Sequence, residues 1–172
     1  MFWIDMEMTG LDEKKCKILE IAVVITDFNL NKLDEYAQVV YQPKEVLDTM
    51  DSWCKDTHGK SGLTQEVAKG KKLSEVEKEL ITLAKKHFGP DKIVLSGNSV
   101  FQDRKFIDLY MPQFEKMLHY RLIDVSSFKE VFKNKYNLKF EKKDTHRAKS
   151  DINESIAELK YYLTFVQRKN GE

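Results

Sequence analysis

Cysteine is scarce in this chain, with two residues among 172. Cys16 and Cys54 lie far apart in the sequence, and neither belongs to a CxxC pattern. This usage argues against a disulfide-stabilised fold and against a zinc site built from paired cysteines. It favours a reduced, intracellular protein.

The chain also lacks an excess of charge of either sign and has no long apolar run. Its formal net charge is +1, whereas a protein that binds long nucleic acid non-specifically would normally be more basic. A short anionic ligand remains compatible, because it needs only a local group of cations. No apolar run has the length of a membrane span, and Met1 leads directly into a strand-like segment. We therefore expect a cytoplasmic protein without membrane association.

What is present is the composition of an ordinary globular protein. Hydrophobic residues make up 41% of the chain and charged residues 33%, which argues against a disordered chain. The sequence has no internal repeat, low-complexity tract or long linker, and its length suffices for a sizeable core. We therefore predict a single domain over residues 1–172.

Five segments have the apolar pattern of β-strands, and they are residues 2–4, 18–26, 33–41, 93–95 and 122–125. Short links join the first three, which predicts an antiparallel meander. Helical patterns alternate with the last two, which predicts that these strands join the same sheet with helices on its faces. The predicted fold is therefore α/β, with a mixed five-stranded sheet.

Two helix starts are predicted from capping boxes, in which a serine and a glutamate three residues later bond to each other's backbone N–H groups. Ser74 with Glu77 opens one helix, and Ser127 with Glu130 opens another. The last helix is predicted over residues 150–167.

Asp5 and Glu7 follow the first apolar strand at positions i and i+2. Side chains alternate along a strand, so the two carboxylates point to the same side, where their like charges repel. A divalent cation between them would relieve this repulsion, and oxygen ligands suit Mg²⁺ or Mn²⁺. For this pair alone, a strand end that turns into solvent is an equally good interpretation. Glu20 interrupts the second strand without another acid beside it, and is predicted to be structural or edge-facing.

The other candidate residues stand at helix starts and in a loop. Asp103 lies in the first turns of a helix that begins near Ser99, and Asp151 lies at the start of the last helix. An acid in a first turn also complements the helix dipole without any further role. His146, in the loop before Asp151, is either a solvated side chain or a general base near neutral pH. Four carboxylates that hold two metal ions, with a base that activates water, are the parts that phosphodiester hydrolysis needs.

Four sequence blocks carry a resemblance to a known family. They are WIDMEMTGL at residues 3–11, GNSxxQDR at 97–104, HYRxxDVS at 119–126 and HRAxxDIxES at 146–155. In this order and at these intervals they resemble the oligoribonucleases, a branch of the DEDDh 3′-to-5′ exonucleases, over nearly the whole chain. The resemblance implies an RNase H-like fold, in which parallel strands extend a three-stranded antiparallel meander and helices cover both faces.

The resemblance also implies the chemistry of the site. Asp5, Glu7, Asp103 and Asp151 would bind two divalent cations, Mg²⁺ or Mn²⁺. His146 would act as the general base. The implied substrates are very short single-stranded RNAs, down to dinucleotides, which are cut from the 3′ end to 5′-mononucleotides.

Residues that bind the 3′ end of the substrate follow from the same matches. Leu11, Trp53 and His58 stand where the family cradles the 3′ nucleotide, and Gln102 belongs to the second block. Physically, the Trp53 ring offers a stacking face and His58 offers a polar contact.

A cap around the 5′ phosphate explains why the family acts on short substrates. Ser99, Arg121 and Ser126 match positions of that cap, and the Arg121 guanidinium is suited to bidentate phosphate binding. The family is a homodimer, in which the tyrosine that matches Tyr120 reaches the partner's site. Phe101 departs from the family pattern, since many relatives have glycine there, and this leaves the fine substrate preference open.

Two other functions are compatible with parts of the pattern. One is a more general DEDDh exonuclease that acts on longer single strands of RNA or DNA, and the cap residues argue against it. The other is a catalytically silent module that binds nucleotides. Such a module would have no chemical use for the complete set of four acids and His146.

Overall fold

The fold is organised on one five-stranded sheet, seen in a computed structural model that describes residues 1–141 and 147–166. The strands are β1 (Phe2–Met8), β2 (Ile18–Thr26), β3 (Lys32–Val39), β4 (Ile93–Gly97) and β5 (Leu118–Asp124). Their order across the sheet is β3-β2-β1-β4-β5. The first three strands pair antiparallel, whereas β4 and β5 run parallel to β1. The predicted mixed sheet is confirmed.

Helices cover both faces of this sheet, as predicted. In the described ranges they are α1 (Lys44–Asp48), α2 (Ser52–Lys60), α3 (Leu63–Val67), α4 (Leu73–Phe88), α5 (Phe101–Tyr110), α6 (Pro112–Glu115), α7 (Val125–Tyr136) and α8 (Ala148–Leu163). One face packs against α4, α5 and α6, and the other packs against α7 and α8. A smaller apolar cluster joins α1, α2 and α3 to β2 and β3. No helix in these ranges combines the length and the apolar character needed to cross a membrane.

β1 lies in the middle of the sheet, and its side chains alternate between two cores. The even-numbered residues of Phe2–Met8 are buried toward α4, α5 and α6, whereas Trp3 packs with α7 and α8. Asp5 and Glu7 follow Trp3 on the α8 face, as the two-residue period of a strand requires. The strand pairs with β2 along its whole length, so the predicted end at residue 4 was wrong.

β2 is buried along its whole length, as its nearly continuous apolar run predicts. Glu20 is therefore a buried carboxylate in an interior strand, and the prediction of an edge-facing position was wrong. The alternative prediction of a structural role agrees with its hydrogen bonds to Arg147 and to the backbone of Ala148.

The predicted capping box of α4, formed by Ser74 and Glu77, was wrong. The helix begins after Lys72, and the Glu77 carboxylate binds another element. Glu75 accepts the hydrogen bond from the Lys72 backbone N–H at 3.1 Å. Glu77 instead accepts from the backbone N–H groups of Gln113 and Phe114, at 2.7 and 3.0 Å. The Glu77 carboxylate, which was expected to cap the start of α4, therefore binds the backbone at the start of α6.

The starts of α7 and α8 also differ from the predictions. The α7 cap is Asp124, whose carboxylate accepts from the Ser126 backbone N–H at 2.9 Å, so Ser127 is not the N-cap. Because Asp124 also ends β5, the strand passes directly into the helix. α8 begins two residues before the predicted start and ends at Leu163. The predicted continuation toward residue 167 was wrong, because the described residues 164–166 are not helical.

Gly97, the last residue of β4, lies so close to β1 that a side chain has no room. An added Cβ would lie 2.7 Å from the Ile4 carbonyl oxygen, a backbone atom held by the sheet. We expect Gly97→Ala to lower the free energy of unfolding by about 2 kcal/mol through overpacking. The corresponding fall in Tm is about 4–8 °C, and thermal denaturation followed by circular dichroism measures it.

Gly59→Ala is the matched control for this substitution. Gly59 lies inside α2, and an added Cβ would meet no heavy atom of the described residues within 4 Å. Alanine favours the helix, so this variant should gain about 0.5–1 kcal/mol of stability. A Gly97→Ala protein as stable as the wild type would contradict the close approach of β1 and β4.

Candidate active site

Three carboxylates converge where β1 meets α8. Asp5 and Glu7 lie on β1, and Asp151 lies in the first turn of α8. One oxygen from each side chain lies within 4.8 Å of the other two, and all three residues are partly buried. The common side predicted for Asp5 and Glu7 is confirmed, and the packing of α8 adds the third acid.

Asp103 supplies a fourth carboxylate from a different element. It is the third residue of α5, which begins shortly after the end of β4. It is 5% exposed and lies outside the 4.8 Å group, although its charge interacts with that of Glu7. Asp103 and Asp151 both lie in first helical turns, where the positive end of the helix dipole favours a carboxylate.

The surroundings of Glu7 and Asp103 disfavour the ionised form of both carboxyl groups. Burial raises the pKa of Glu7 from 4.5 to about 8. Repulsion from Asp151 and Glu20 adds to this pKa shift, and the Arg147 charge opposes it. Burial also raises the pKa of Asp103 well above its usual range, with further repulsion from Glu7. A ligand set of carboxylate oxygens alone, in this electrostatic state, fits hard divalent cations such as Mg²⁺ or Mn²⁺.

A cavity of about 490 Å³ opens beside the acids. The predicted site residues that line it are Asp5, Glu7, Leu11, Trp53, His58, Ser99, Gln102 and Asp103. Leu11 is 75% exposed and Trp53 is 61% exposed. Neither side chain is buried in the core, and both present apolar surface at the cavity.

His58 is fixed within the cavity wall. It is 1% exposed, and its Nε2 lies 2.9 Å from the Met8 carbonyl oxygen. Because a carbonyl oxygen only accepts, Nε2 carries the hydrogen and donates it. The other ring nitrogen, Nδ1, lies 3.9 Å from Glu7 Oε2. His58 therefore ties α2 to β1 beside the acids.

Ser99 lines the cavity and contacts Ser126, which is not among the lining residues. Their hydroxyl oxygens are 3.2 Å apart, and the Ser99 backbone N–H donates to Ser126 Oγ at 2.9 Å. The same N–H also donates to Asp124 Oδ1 at 3.0 Å. Ser99 has a φ of 50°, in the left-handed region that serine rarely adopts, and these bonds hold it there. The fold thus brings together two of the three predicted cap residues.

Gln102, Tyr120 and Arg121 have different surroundings. The Gln102 side-chain amide donates to the Leu11 carbonyl oxygen and ties α5 to the turn after β1. Tyr120 is 77% exposed on β5, and the Arg121 guanidinium lies 5.4 Å from the centre of its ring. Neither Tyr120 nor Arg121 is among the residues that line the cavity of the same chain. His146 lies outside the described residues.

The link between Asn98 and α8 is absent from the sequence predictions. Asn98 lines the cavity, and its side-chain amide donates to Ser155 Oγ at 2.7 Å and to Glu158 Oε2 at 3.0 Å. The Tyr162 hydroxyl donates to the other Glu158 oxygen at 3.0 Å. A signal for this link is present in the sequence, because polar residues recur on one face of α8 at helical spacing, namely Asp151, Ser155, Glu158 and Tyr162.

Relatives of this chain match it over nearly its whole length. The family model described as exonuclease matches residues 2–159. A human protein named mitochondrial oligoribonuclease is 46% identical, over 98% of this chain and 74% of that protein. A protein named oligoribonuclease from Francisella tularensis subsp. tularensis is also 46% identical, over 94% of this chain and 93% of the relative.

Solved structures with the same fold include two exonucleases I. The E. coli enzyme in complex with a 5cy-dT13 oligonucleotide has a TM-score of 0.71 at 14% identity, over 95% of this chain and 40% of that chain. The Methylocaldum szegediense enzyme has a TM-score of 0.69 at 16% identity, over 98% of this chain and 41% of that chain. The chain therefore spans about two fifths of the exonuclease I chains, and the likeness establishes the fold.

The stability of the metal-free protein should depend on pH through Glu7. Its pKa is about 8 in the folded protein, against an ordinary value of 4.5 for an unfolded chain, so folding favours the protonated carboxyl. The stability that Glu7 contributes is complete below the unfolded pKa and is lost as pH rises through the folded pKa. We expect Tm in EDTA to fall between about pH 5 and about pH 8, as measured by scanning calorimetry.

Glu7→Gln, which does not titrate, should give a flatter profile of Tm against pH. Divalent cations should stabilise the wild-type protein more at about pH 8 than at about pH 5, because protons compete with cations for the carboxylates. A wild-type profile that coincides with that of Glu7→Gln would contradict the raised pKa.

Proposed function

The chain belongs to the oligoribonucleases within the exonuclease family, and from this premise we propose that it hydrolyses very short single-stranded RNA. Cleavage starts at the 3′ end and releases 5′-mononucleotides, with dinucleotides as preferred substrates. The observation that carries the proposal is the group of Asp5, Glu7 and Asp151 oxygens within 4.8 Å of one another. In this proposal residues 1–172 act as one exonuclease domain.

Two divalent cations, Mg²⁺ or Mn²⁺, are part of the proposal. The four acids Asp5, Glu7, Asp103 and Asp151 would hold them. Such cations, when bound, polarise the phosphate and lower the pKa of a bound water. The chain contributes fixed carboxylates, because β1 pairs with β2 through both acids, with β4 at Phe2 and Trp3, and α8 packs on its face. His146 takes the proton of the attacking water in this proposal.

The 3′ nucleotide packs on Leu11 and Trp53 in this proposal, because both present exposed apolar surface at the cavity. His58 and Gln102 support these walls through their bonds to the backbone of Met8 and of Leu11. A cavity of about 490 Å³ is within the size range of small-molecule sites. This volume suits a dinucleotide better than a long strand, which needs an open track.

The cap and the homodimer are the remaining parts of the proposal. Ser99 and Ser126 form one corner of a binding site for the 5′ phosphate, and the exposed Arg121 supplies the positive charge. Tyr120 is 77% exposed and does not line the cavity of its own chain, which supports a dimer in which it contacts substrate in the partner's site. We also propose a cytoplasmic protein, which agrees with its free cysteine thiols.

The activity is tested by incubating the protein with an RNA dinucleotide and, separately, with an RNA of about twenty nucleotides. The longer RNA is chosen because it exceeds most single-strand binding sites. We expect rapid cleavage of the dinucleotide with Mg²⁺ or Mn²⁺, none in EDTA and poor cleavage of the longer RNA. Asp103→Asn should abolish turnover without lowering Tm, because it removes a carboxyl group whose ionised form is disfavoured by burial and by Glu7. Equal rates on both RNAs would favour a general exonuclease, and a folded protein inactive with both metals would favour a silent binding module.

Tyr120→Ala tests the shared site. We expect the variant to stay dimeric in light scattering and to lose about tenfold in kcat/KM on the dinucleotide, the usual effect of removing an aromatic contact to a base. Tyr136→Ala is the control, since Tyr136 is a 53% exposed aromatic residue on α7 and has no role in the proposal. A wild-type protein that is fully active as a monomer would rule out the shared site.

A further inference from the structure

Glu20 is a buried acid that the proposed chemistry leaves unused. It is 4% exposed and lies directly opposite Glu7 in the register of β1 and β2. Directly opposed residues of an antiparallel pair project from the same face of the sheet, so Glu20 and the acids of the site share a face. A carboxylate buried there costs free energy unless it is paired and hydrogen-bonded. The contacts of its two oxygens therefore indicate its role.

Both Glu20 carboxylate oxygens accept hydrogen bonds from residues at the start of α8. Oε1 accepts from Arg147 Nη2 at 2.8 Å, and Oε2 accepts from the Ala148 backbone N–H at 3.1 Å. Arg147 Nε lies 3.3 Å from Oε1 and 3.2 Å from Oε2. Among the described residues, Glu20 does not belong to the group of acids whose oxygens converge. Its contacts are those of a helix anchor and not of a metal ligand.

α8 has no capping side chain of its own. Its N-cap residue is Arg147, which makes no side-chain cap hydrogen bond, although the first backbone N–H groups of any helix need partners. Glu20 supplies an acceptor from the neighbouring strand, and its negative charge complements the helix dipole. Asp151 lies in the same first turn of α8, so the bond that fixes the start of the helix also fixes Asp151.

Arg147 extends this anchor to another wall of the cavity. Its guanidinium lies 3.3 Å from the Ser61 carbonyl oxygen, and 3.3 and 2.9 Å from the two oxygens of Glu66. Ser61 is the C-cap of α2, the helix that carries Trp53 and His58, and Glu66 belongs to α3. One guanidinium therefore joins β2, the start of α8 and the layer formed by α2 and α3.

We propose that Glu20 and Arg147 are positioning residues, which hold the start of α8 so that Asp151 meets Asp5 and Glu7 at the spacing that cations require. This inference rests on the proposed function, because the cations belong to the same site. The two carboxylates that bind Arg147 differ in how much they contribute to its position. The Glu20 side chain is 5% exposed and that of Glu66 is 48% exposed, and a solvent-exposed ion pair contributes little.

Calorimetric titration of Mn²⁺ into the metal-free full-length chain measures this role without relying on activity. Glu20→Gln keeps the size of the side chain and removes the charge that pairs with Arg147. We expect its Mn²⁺ affinity to fall about ten- to a hundredfold, as is usual when a residue that orients metal ligands is changed. On the dinucleotide, kcat should fall while KM changes by less than about twofold, because the cavity that binds the nucleotide is intact.

Glu66→Gln is the matched control, since it removes the other carboxylate on the same guanidinium. It should leave the Mn²⁺ affinity and kcat within about twofold of the wild type. Arg147→Lys keeps the positive charge but cannot form the bidentate contact, so it should behave like Glu20→Gln. If Glu20→Gln does not fold, Arg147→Lys tests the inference in its place.

The outcomes separate the inference from the function on which it rests. The inference would be overturned if folded Glu20→Gln and Arg147→Lys kept the Mn²⁺ affinity and the kcat of the wild type. Glu20 would then have a purely structural role, even if the Tm of the variants were lower. Loss of one bound Mn²⁺ per chain, with unchanged affinity for the rest, would make Glu20 a ligand and overturn it as well. Failure of the proposed function would appear in the wild type, which would neither bind Mn²⁺ nor cleave the dinucleotide.

Discussion

The mutual repulsion of the acids on β1 and α8 is the constraint on which the rest of the structure depends. Asp5, Glu7 and Asp151 bring oxygens within 4.8 Å of one another, an arrangement that free side chains would avoid. The fold maintains it because β1 pairs with β2 along its whole length and lies between two close-packed apolar layers. Burial, with repulsion from Asp151 and Glu20, raises the pKa of Glu7 to about 8, so at neutral pH a proton on Glu7 reduces the repulsion.

Three polar contacts attach the walls of the cavity to this strand and to its neighbours. His58 joins α2 to the backbone of β1. Asn98 joins the connection between β4 and α5 to Glu158 of α8, and Glu20 joins β2 to the start of the same helix. These groups are largely removed from water, where a hydrogen bond is strong and its loss is costly. Side chains from separate parts of the described chain, in β2, α2, α8 and the connection between β4 and α5, therefore determine the geometry of the site.

Local patterns predicted those features that depend on neighbours in the chain. The two-residue period of β1 placed Asp5 and Glu7 on one face, and the apolar run of β2 predicted an interior strand, as observed. The predicted helix starts failed because their polar residues have partners in other elements. Glu77 binds the backbone at the start of α6, and Asp124 at the end of β5 caps α7. The predicted end of β1 failed for the same reason, since pairing with β2 continues to Met8.

By itself, the sequence determined the fold class and the acids that gather in the site, because strand alternation and first-turn positions are properties of short segments. Only the tertiary structure decided the role of Glu20. In the sequence it is a lone acid in an apolar run, and its partner Arg147 is 127 residues away. The register of β1 and β2 sets Glu20 opposite Glu7, and the packing of α8 brings Arg147 and Ala148 to its oxygens. A hydrogen bond between such distant segments depends on how whole layers pack, which no pattern of neighbouring residues contains.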